Sequence, residues 1–417
     1  MAKRRVVLTG LGTVNPLGHS VPQFWADLIA CKSGIRPIRR FDASPFASRI
    51  GGEVQDWEGV NVEGFDPRES KRMDRFAQFA VASALEAVKD SGVDFDKCDL
   101  DRCGVIVGSG IGGLEELETQ HKRMLQKGPD RVSPFTVPKL MANAAAGNIS
   151  IIWGLRGPNI AVVTACASAS HSIGEAMRCI QRDEADVVLT GGSEAALTQL
   201  GLASFCALKA LSTRNDDPEH ASRPWDKDRD GFLLSEGAGI IVLEDLEFAR
   251  KRGARIYAEL IGYGASGDGH HITAPDPVGK GAILAMKQAL RDGAVSPDQL
   301  DYINAHGTST VLGDLAETLA IKQVFGEHAR KGLMVSSTKS STGHLLGASG
   351  GVELIACALA IKCGIVPATL NLDHPDEECD LDYVPLVPRE KKVSTILSNS
   401  FGFGGHNACL LIRRFDG

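Results

Sequence analysis

Short β-branched runs that end in glycine alternate with helical patterns along the whole chain. The runs are continuously apolar, as are strands buried on both faces of a sheet. Alternation of such strands with helices is typical of an α/β fold, which we therefore predict. The strand-like runs include RVVLTGLG, CGVIVGSGIGG, NIAVVTAC, ADVVLTGGSEA and AGIIVLED, and the helical patterns include RESKRMDRFAQFAVASALEAVKDSG, ASHSIGEAMRCIQRDEA and GGVELIACALAIKCG.

Two stretches of the chain share an order of strand, small-residue turn and helix. VVTACASASHSIGEAMRCI surrounds Cys166, and VSSTKSSTGHLLGASGGVELIACAL surrounds His344. VVLTGLG and ELIGYGASGDG form a second matching pair. Two similar halves, residues 1–255 and 256–417, would bring the strand-end loops of both to one shared site. Because any α/β protein yields such similarities, the residues alone leave duplication and coincidence both open.

Composition places the chain among globular proteins with a large core. Its 417 residues are 43% hydrophobic and 23% charged, which suits one large α/β unit or two to three ordinary domains. The net charge of −7 argues against nucleic acid as a general partner. The basic start MAKRRVVLTGLG is too short and glycine-interrupted for a signal peptide, and no run approaches about 18 consecutive apolar residues. We expect a cytoplasmic protein without a membrane segment.

The motifs that would indicate a metal ion or a nucleotide cofactor are weak. The ten cysteines form no CxxC pair, which indicates reduced thiols, and no metal-ligand spacing is found. Gly108, Gly110 and Gly113 spell GxGxxG after a strand-like run. A dinucleotide site also needs an acidic residue about 20 positions later, and the sequence there looks like a loop. These glycines more simply allow close backbone packing beside a pocket.

Cys166 lies between a β-branched run and the start of a helical pattern, within the small residues ACASAS. A thiol at a helix N-terminus has its pKa lowered by the helix dipole and free backbone N–H groups, and the thiolate is the nucleophile. The small neighbours would admit a long acyl thioester. Free cysteine is also among the most buried residue types, so a core thiol is the alternative. Taken alone, the segment favours the core thiol.

Two histidines shift the balance towards a nucleophilic Cys166. His306 in NAHGTST and His344 in KSSTGHLLGASG both follow strand-like runs, where α/β proteins build their sites. Lys339 and Glu353 flank His344 in the sequence and would form a charge pair beside the site. A solvated surface location is the alternative for each of these two charges.

Further candidate residues follow His306 and close the chain. Asp314 and Glu317 come after His306 at helical spacing and would orient it, although for Glu317 a charge near a helix N-terminus is the simpler interpretation. The tail SNSFGFGGHNACLLI holds a glycine turn around Phe403. Such a turn can point backbone N–H groups inward, as an oxyanion hole requires. The alternative is a plain C-terminal hairpin with His406 packed against it.

Together, VVTACASAS, NAHGTSTVLGD, KSSTGHLLGASG and NSFGFGGHN resemble the motifs of the β-ketoacyl-[acyl-carrier-protein] synthase family, which lies in the thiolase-like superfamily. The resemblance runs essentially end to end, and the order Cys166, His306, His344 matches the elongating enzymes. Thiolases carry a second cysteine where this chain has His344, and initiation enzymes carry asparagine there. Non-catalytic partner subunits of polyketide synthases lack the nucleophile. Type I synthases, polyketide ketosynthases and, less closely, thiolases remain as alternatives.

The resemblance implies a five-layered αβαβα fold made of two similar halves, and a homodimer. It also implies a decarboxylative condensation of malonyl-carrier protein with an acyl group held on Cys166, as in fatty acid biosynthesis. No cofactor is implied beyond the phosphopantetheine of acyl carrier protein, and no metal. The residues that the resemblance assigns to catalysis are Cys166, His306, His344, Lys339 and Phe403, with Asp314 and Glu353 behind them. The residues that it assigns to substrate binding are Ile111, Phe205, Thr308, Thr310, Phe401 and Gly402.

The resemblance also bears on substrate length and on docking. Ile111 aligns with a residue at the floor of the acyl pocket, where type I enzymes usually carry glycine, so the type II enzymes are favoured. Carrier protein is strongly acidic, and a chain of net charge −7 needs a local basic patch to bind it. A solvated helix face explains each of these basic residues about equally well. The predicted patch consists of Arg68, Lys71, Arg72, Arg131 and Lys209.

Overall fold

A ten-stranded mixed sheet runs through the computed structural model, which describes residues 3–60 and 65–417. Across the sheet the strands lie in the order β8-β7-β9-β10-β6-β1-β5-β4-β2-β3. Two short ladders, Arg36–Pro37 with Ile50–Gly51 and Ile365–Val366 with Arg389–Glu390, lie outside it. In chain order the strands of the main sheet are β1 (Val6–Val14), β2 (Cys103–Gly108), β3 (Asn159–Val162), β4 (Val187–Glu194), β5 (Gly237–Asp245), β6 (Ala258–Gly267), β7 (Tyr302–Asn304), β8 (Met334–Ser336), β9 (Thr395–Gly402) and β10 (His406–Arg413).

Helices separate most of these strands, as the alternating pattern predicts. The α-helices are α1 (Val21–Ile29), α2 (Pro67–Ser70), α3 (Arg75–Ser91), α4 (Leu114–Lys127), α5 (Thr136–Leu140), α6 (Ala144–Trp153), α7 (Ser168–Gln181), α8 (Gln199–Ala207), α9 (Leu246–Lys251), α10 (Lys280–Asp292), α11 (Val311–Phe325), α12 (His328–Lys331), α13 (Lys339–Thr342) and α14 (Ser349–Cys363). Short 3₁₀ turns cover Phe95–Lys97, Leu100–Arg102, Pro129–Arg131, Ala165–Ala167, Pro218–His220, Pro297–Gln299 and Leu346–Ala348.

The pattern RESKRMDRFAQFAVASALEAVKDSG is interrupted rather than a single helix. α2 ends at Ser70, and α3 begins only at Arg75. Asp74 is the N-cap of α3, because its side chain accepts a hydrogen bond from the backbone N–H of Phe76. The predicted solvated helix face around residues 68–74 is therefore a four-residue helix followed by a turn.

The two halves of the sheet have the same topology, which confirms the predicted fold of two similar halves. From the centre outwards the first half runs β1-β5-β4-β2-β3, and the second runs β6-β10-β9-β7-β8. In each half the inner pairings are antiparallel and the outer two are parallel. The halves join where residues 6–8 of β1 pair with residues 258–260 of β6. The exact boundary near residue 255 stays a prediction.

Five layers follow from the way the helices cover this sheet. α3 packs on β1 and β5 on one side of the first half, and α10 packs on β6 and β10 in the second. Between the halves lie α7, which contacts β2 and β4, and α14, which contacts β5 and β9. The largest apolar core surrounds these two central helices. Burying helices on both faces of each half-sheet explains why the strands are continuously apolar.

The central position of α14 explains its composition. The stretch Leu346–Cys363 is long and apolar enough to cross a membrane, with a mean hydropathy of 1.5, and 89% of it is buried inside the protein. Its run is broken by Glu353 and Lys362, so the described residues hold no uninterrupted apolar span of that length. A helix enclosed between the two halves of the sheet needs apolar residues on all sides. The hydropathy of α14 therefore matches its place in the core.

Candidate active site

One cavity of about 620 Å³ contains most of the site residues suggested by the sequence. Loops of both halves form its wall, since the carboxyl ends of equivalent strands face each other there. The structure therefore brings together residues that are far apart in the chain. The sequence candidates that line the cavity are Ile111, Cys166, Phe205, Lys209, His306, Thr308, Thr310, Glu317, His344, Phe401, Gly402 and Phe403.

Cys166 lies in a tight turn between β3 and α7. Ala165 has a φ of +50°, and the 3₁₀ turn Ala165–Ala167 leads directly into α7. Leu346 has a φ of +47° and begins the same kind of 3₁₀ turn directly before α14. An L-residue in the left-handed region costs about 1–2 kcal/mol, so the surrounding packing must hold both turns in place. The repeated turn shows that Cys166 and Gly347 occupy equivalent positions in the two halves.

The thiol of Cys166 is buried, with 7% of the residue exposed. Burial raises its pKa to about 12, while the backbone N–H of Phe403 and the charge of Lys339 act in the opposite direction. The net shift is opposite to the one predicted from the helix start, although the backbone N–H of Cys166 itself does lower the pKa. Removing a thiolate from water costs more free energy here than the helix and the nearby donors return. The raised pKa favours the protonated thiol of Cys166 at pH 7.

The glycine turn after β9 lies against Cys166. β9 and β10 form an antiparallel hairpin, and the glycine turn connects its two strands. The C-terminal hairpin and the turn beside the site are therefore one and the same segment. A Cβ atom on Gly402 would lie 3.1 Å from the backbone nitrogen of Cys166. The backbone N–H groups of Phe403 and Cys166 lie close enough to the thiol to lower its pKa. His406 is exposed at the start of β10, so it is not packed as the alternative supposed.

His306 and His344 meet in the cavity, each after the end of its strand. Their ring centroids are 5.3 Å apart, and the planes cross at 84°. The hydroxyl group of Ser349 lies 3.0 Å from Nδ1 of His344. Burial, and after it the charge of Lys339, holds the pKa of each histidine well below its ordinary value. Both rings are therefore neutral at pH 7, and each keeps one N–H donor.

Lys339 and Glu353 form the charge pair that the sequence suggests. The ammonium of Lys339, on α13, contacts Oε1 of Glu353, on α14. Both side chains are buried, with 1% and 3% of their surface exposed. Burial raises the pKa of Glu353, and the Lys339 charge opposes that shift. The alternative of two solvated surface charges was wrong for this pair.

Glu317 is buried and holds the His306 loop, which corrects its interpretation as a surface charge. Its carboxylate accepts hydrogen bonds from the backbone N–H groups of His306 at 2.9 Å and Gly307 at 2.8 Å. The side-chain amide of Asn399 donates a third at 3.1 Å. Only 2% of Glu317 is exposed, and burial raises its pKa. The helical periodicity of α11 could not show which neighbour covers this face.

Asp314 acts on the loop rather than on the His306 ring. It accepts hydrogen bonds from the backbone N–H groups of Trp225 at 2.9 Å and Ser309 at 3.2 Å. Burial raises its pKa to about 7. Ser309 lies between Thr308 and Thr310, whose hydroxyl oxygens are 3.0 Å apart. Asp314 thus fixes the two threonines that line the cavity.

The predicted basic patch is not one cluster at the cavity. All five of its residues are exposed, but only Lys209 lines the cavity. Lys71 lines a separate pocket of about 440 Å³, and Arg72 is held by Glu69 at 2.8 Å. Arg68 lies in α2, and Arg131 lies in the 3₁₀ turn after α4. Docking through these residues stays a prediction.

Two further cavity residues escaped the sequence analysis. Glu194 ends β4 with its carboxylate fully buried, and burial raises its pKa to about 7. Phe232 stands edge-on to Phe205 at 5.5 Å and to His344 at 5.3 Å between ring centroids. The signal for Glu194 was a lone acidic residue closing the apolar run ADVVLTGGSEA. Nothing in the sequence around Phe232 indicated its position.

Comparison with known proteins identifies the family. The N-terminal domain of β-ketoacyl synthases matches residues 3–249, and the C-terminal domain of β-ketoacyl synthases matches residues 257–373. The chain belongs to the β-ketoacyl synthase family. This confirms the resemblance that the four motifs suggested, over most of the chain.

Relatives within the β-ketoacyl synthase family match the chain from end to end. It is 52% identical over 417 residues to a protein of Coxiella burnetii named 3-oxoacyl-[acyl-carrier-protein] synthase 2, covering 100% of both chains. It is 50% identical over 414 residues to a protein of that name from Staphylococcus aureus, covering 99% of each.

Solved ketosynthase structures share the fold. A β-ketoacyl synthase from Burkholderia phymatum has a TM-score of 0.91 and 35% identity, over 99% of this chain and 100% of that one. A type II polyketide ketosynthase, solved with its acyl carrier protein and a bound hexaketide, has a TM-score of 0.92 and 34% identity, with both chains fully covered. These likenesses confirm the predicted thiolase-like architecture.

Proposed function

We propose that this chain is a 3-oxoacyl-[acyl-carrier-protein] synthase of the type II group, which lengthens an acyl chain by two carbons in fatty acid biosynthesis. One observation carries the proposal: a buried thiol, two neutral imidazoles and the backbone N–H of Phe403 converge on one cavity. The name and full-length identity of the Coxiella burnetii relative support the same activity.

In the first step an acyl group passes from the carrier thioester to Cys166. The sulphur of Cys166 attacks the thioester carbonyl carbon, the carbon–sulphur bond to the carrier breaks, and the thiol proton ends on the departing carrier thiol. The backbone N–H groups of Phe403 and Cys166 would hold the oxyanion that forms. One such donor contributes about 3–4 kcal/mol to lowering the barrier in a well-studied hydrolase. Because the oxyanion exists only during the attack, these donors lower the barrier of this step and leave the pKa of the free thiol unchanged.

In the second step malonyl-carrier protein loses CO₂ and condenses with the acyl-Cys166. His306 and His344 donate hydrogen bonds to the thioester oxygen. When CO₂ leaves, the bonding electron pair stays behind and forms an enolate, which these two hydrogen bonds stabilise. The carbanion attacks the acyl carbonyl carbon, and the bond to Cys166 breaks. Cys166 then takes one proton from solvent, and the 3-oxoacyl product stays on the carrier. Neutral imidazoles suit this step because a carboxylate in their place would repel the enolate.

The cavity walls would divide between the acyl chain and the carrier arm. Ile111 and Phe205 would line the acyl pocket, and Phe205 packs against the apolar cluster that holds Cys166. Thr308 and Thr310 would contact the pantetheine arm, with Phe401 and Gly402 closing the opposite wall. The phosphopantetheine of the carrier is the only prosthetic group that this scheme uses. Lys339, paired with Glu353, would lower the pKa of both histidines and of Cys166 rather than act on substrate.

Acyl carrier protein and a second copy of the chain are the proposed partners, and the cytoplasm is the proposed compartment. The ketosynthase of similar fold that was solved with its acyl carrier protein supports the first partner. β3 lies at the edge of the sheet, where Ile160 is 48% exposed, and Val163 directly after the strand is 55% exposed. An apolar edge strand of this kind favours pairing with another copy. Light scattering at micromolar concentration tests the dimer.

A single assay separates this proposal from its competitors. The purified chain is given malonyl-carrier protein labelled in the free carboxyl group, together with hexanoyl-carrier protein. We expect labelled CO₂ and a 3-oxo-octanoyl product in equal amounts. Condensation of acetyl thioesters without CO₂ release would identify a thiolase, and neither product would identify a non-catalytic subunit. Repeated extension without reduction would favour the polyketide ketosynthase, the class of the similar structure with a bound hexaketide.

A further inference from the structure

Glu194 joins the two halves of the protein inside the cavity. Its Oε2 accepts hydrogen bonds from the backbone N–H groups of Gly110 at 2.7 Å and Gly347 at 3.1 Å. Its Oε1 accepts from the Ser109 hydroxyl at 3.1 Å and from the Ile111 N–H at 3.3 Å. Three of these donors follow β2 in the first half, and the fourth precedes α14 in the second. One carboxylate therefore fastens two turns that are more than 200 residues apart in the chain.

The two turns are shaped to admit this carboxylate. A Cβ atom on Gly110 would lie 2.7 Å from Oε2 of Glu194. A Cβ atom on Gly347 would lie 2.7 Å from the same oxygen and 2.3 Å from the Gly110 nitrogen. Both glycines are therefore required for the close approach. The GxGxxG segment thus binds a carboxylate of the chain itself with its backbone.

Each turn also places an apolar side chain in the cavity wall. Ile111 follows Gly110 and is 41% exposed, so its side chain is open to the cavity. Leu346 precedes Gly347 in the left-handed conformation and packs in the apolar cluster that holds Cys166. The distance between these two side chains depends on the spacing of the turns. Glu194 links the two turns, with three hydrogen bonds to the first and one to the second.

We propose that Glu194 is a positioning residue that holds the turns of Ile111 and Leu346 together and thereby limits the length of acyl chain that Cys166 accepts. The inference rests on the proposed function, since it concerns the acyl group of that reaction. Glu194 acts on chain length through the two turns, and its charge separately raises the pKa of Cys166. Four donors require an acceptor at both oxygens, and a glutamine would turn one of them into a competing donor.

The test compares hexanoyl- with hexadecanoyl-carrier protein as substrates of wild type and of Glu194→Gln. We expect the hexadecanoyl-to-hexanoyl ratio of kcat/KM to rise at least fivefold in the variant. If Glu194 acts through Ile111, the same change in an Ile111→Gly background adds nothing to the ratio. A ratio that is unchanged or falls, or an equal further rise in the Ile111→Gly background, overturns the inference.

Glu86→Gln is the matched control. Glu86 also accepts two backbone N–H groups, from Thr13 at 2.9 Å and Val21 at 2.7 Å. Burial raises its pKa to about 7, as it does for Glu194, but Glu86 lies outside the cavity. Its substitution should leave the substrate ratio unchanged. An equal change in this control would mean a general loss of packing and would overturn the proposal.

Two measurements keep the test decisive. Should Glu194→Gln fail to fold, Ser109→Ala removes only one of the four donors and should raise the ratio at least twofold; no rise overturns the inference. Transfer of each acyl group to Cys166, followed by mass spectrometry, reports chain length without condensation. If the wild-type protein is acylated on Cys166 but never condenses, the proposed function is contradicted, whatever the role of Glu194. Unchanged acyl selectivity in a variant that still condenses would contradict the role of Glu194 and leave the proposed function standing.

Discussion

The ring of His306 stands nearly perpendicular to that of His344, with 5.3 Å between the centroids. Both rings are buried, and burial together with the Lys339 charge lowers their pKa values well below the ordinary range. Two neutral N–H donors can therefore approach one substrate oxygen from different directions. The arrangement suits the stabilisation of an enolate, where charge develops on a single oxygen.

Replacing one ring should separate the two steps of the reaction. His344→Ala should still accept an acyl group on Cys166, because the thiol and the backbone N–H groups remain. It should lose about 10²–10³-fold in malonyl decarboxylation, the range for removal of one donor to a developing oxyanion. Acyl-enzyme formation is followed by mass spectrometry and decarboxylation by CO₂ release. Equal loss of both activities would contradict the separate role of His344.

Cys166→Ala should give the complementary result. Without the sulphur, no acyl adduct forms and no 3-oxoacyl product is made. Some decarboxylation of malonyl-carrier protein should survive, because both histidines and the cavity remain. Labelling with a radioactive acyl-carrier protein measures the adduct, and CO₂ release measures the residual activity. Full condensation by this variant would refute the assignment of the nucleophile.

The raised pKa of Cys166 gives a third prediction, with a defined sign. With a pKa of about 12, the thiolate fraction grows about tenfold per pH unit below that value. Alkylation by iodoacetamide should therefore rise steadily from pH 7 to 10 without a plateau. Lys339 lowers this pKa, so Lys339→Met should slow alkylation at every pH in that range, tenfold for each unit by which the pKa rises.

Lys322→Met is the control for that experiment. Lys322 lies in the last turn of α11, pairs with Asp380 and is itself absent from the cavity wall. Its loss should leave the alkylation profile in place. A plateau below pH 9 in the wild-type protein would show that the thiol ionises more readily than its burial indicates.

Sequence reasoning located the nucleophile and both histidines because strand ends in an α/β fold share one edge. It could not give the pKa of Cys166, since a helix start and burial act in opposite directions and only burial depends on distant residues. The break at Asp74 was missed for a related reason. A capping side chain and an ordinary helical charge look alike in a pattern, so only the hydrogen bond to Phe76 distinguishes them.

Glu317 shows the same limit and carries a fourth prediction. Glu317→Gln keeps the size of the side chain but places an amide donor against the N–H groups of His306 and Gly307 or the amide of Asn399. One buried donor is then unpaired, which costs about 1–3 kcal/mol. We expect a lower denaturant midpoint and slower decarboxylation, with acylation of Cys166 retained. An unchanged midpoint would mean that the loop is held by other contacts.

Charge reversal tests the basic residues near the start of α3. If an acidic carrier protein binds there, Lys71→Glu and Arg72→Glu should each raise KM for acyl-carrier protein about two- to fivefold, the range for an exposed ion pair. The effect should shrink as salt is added, because exposed charges are screened. KM for a small acyl thioester should not change, since the cavity is untouched. Lys331→Glu, which reverses an exposed charge on α12, should leave both KM values alone. If KM for the carrier-bound substrate stays constant in the Lys71 and Arg72 variants, the carrier docks elsewhere, and Lys209 at the cavity wall becomes the next residue to reverse.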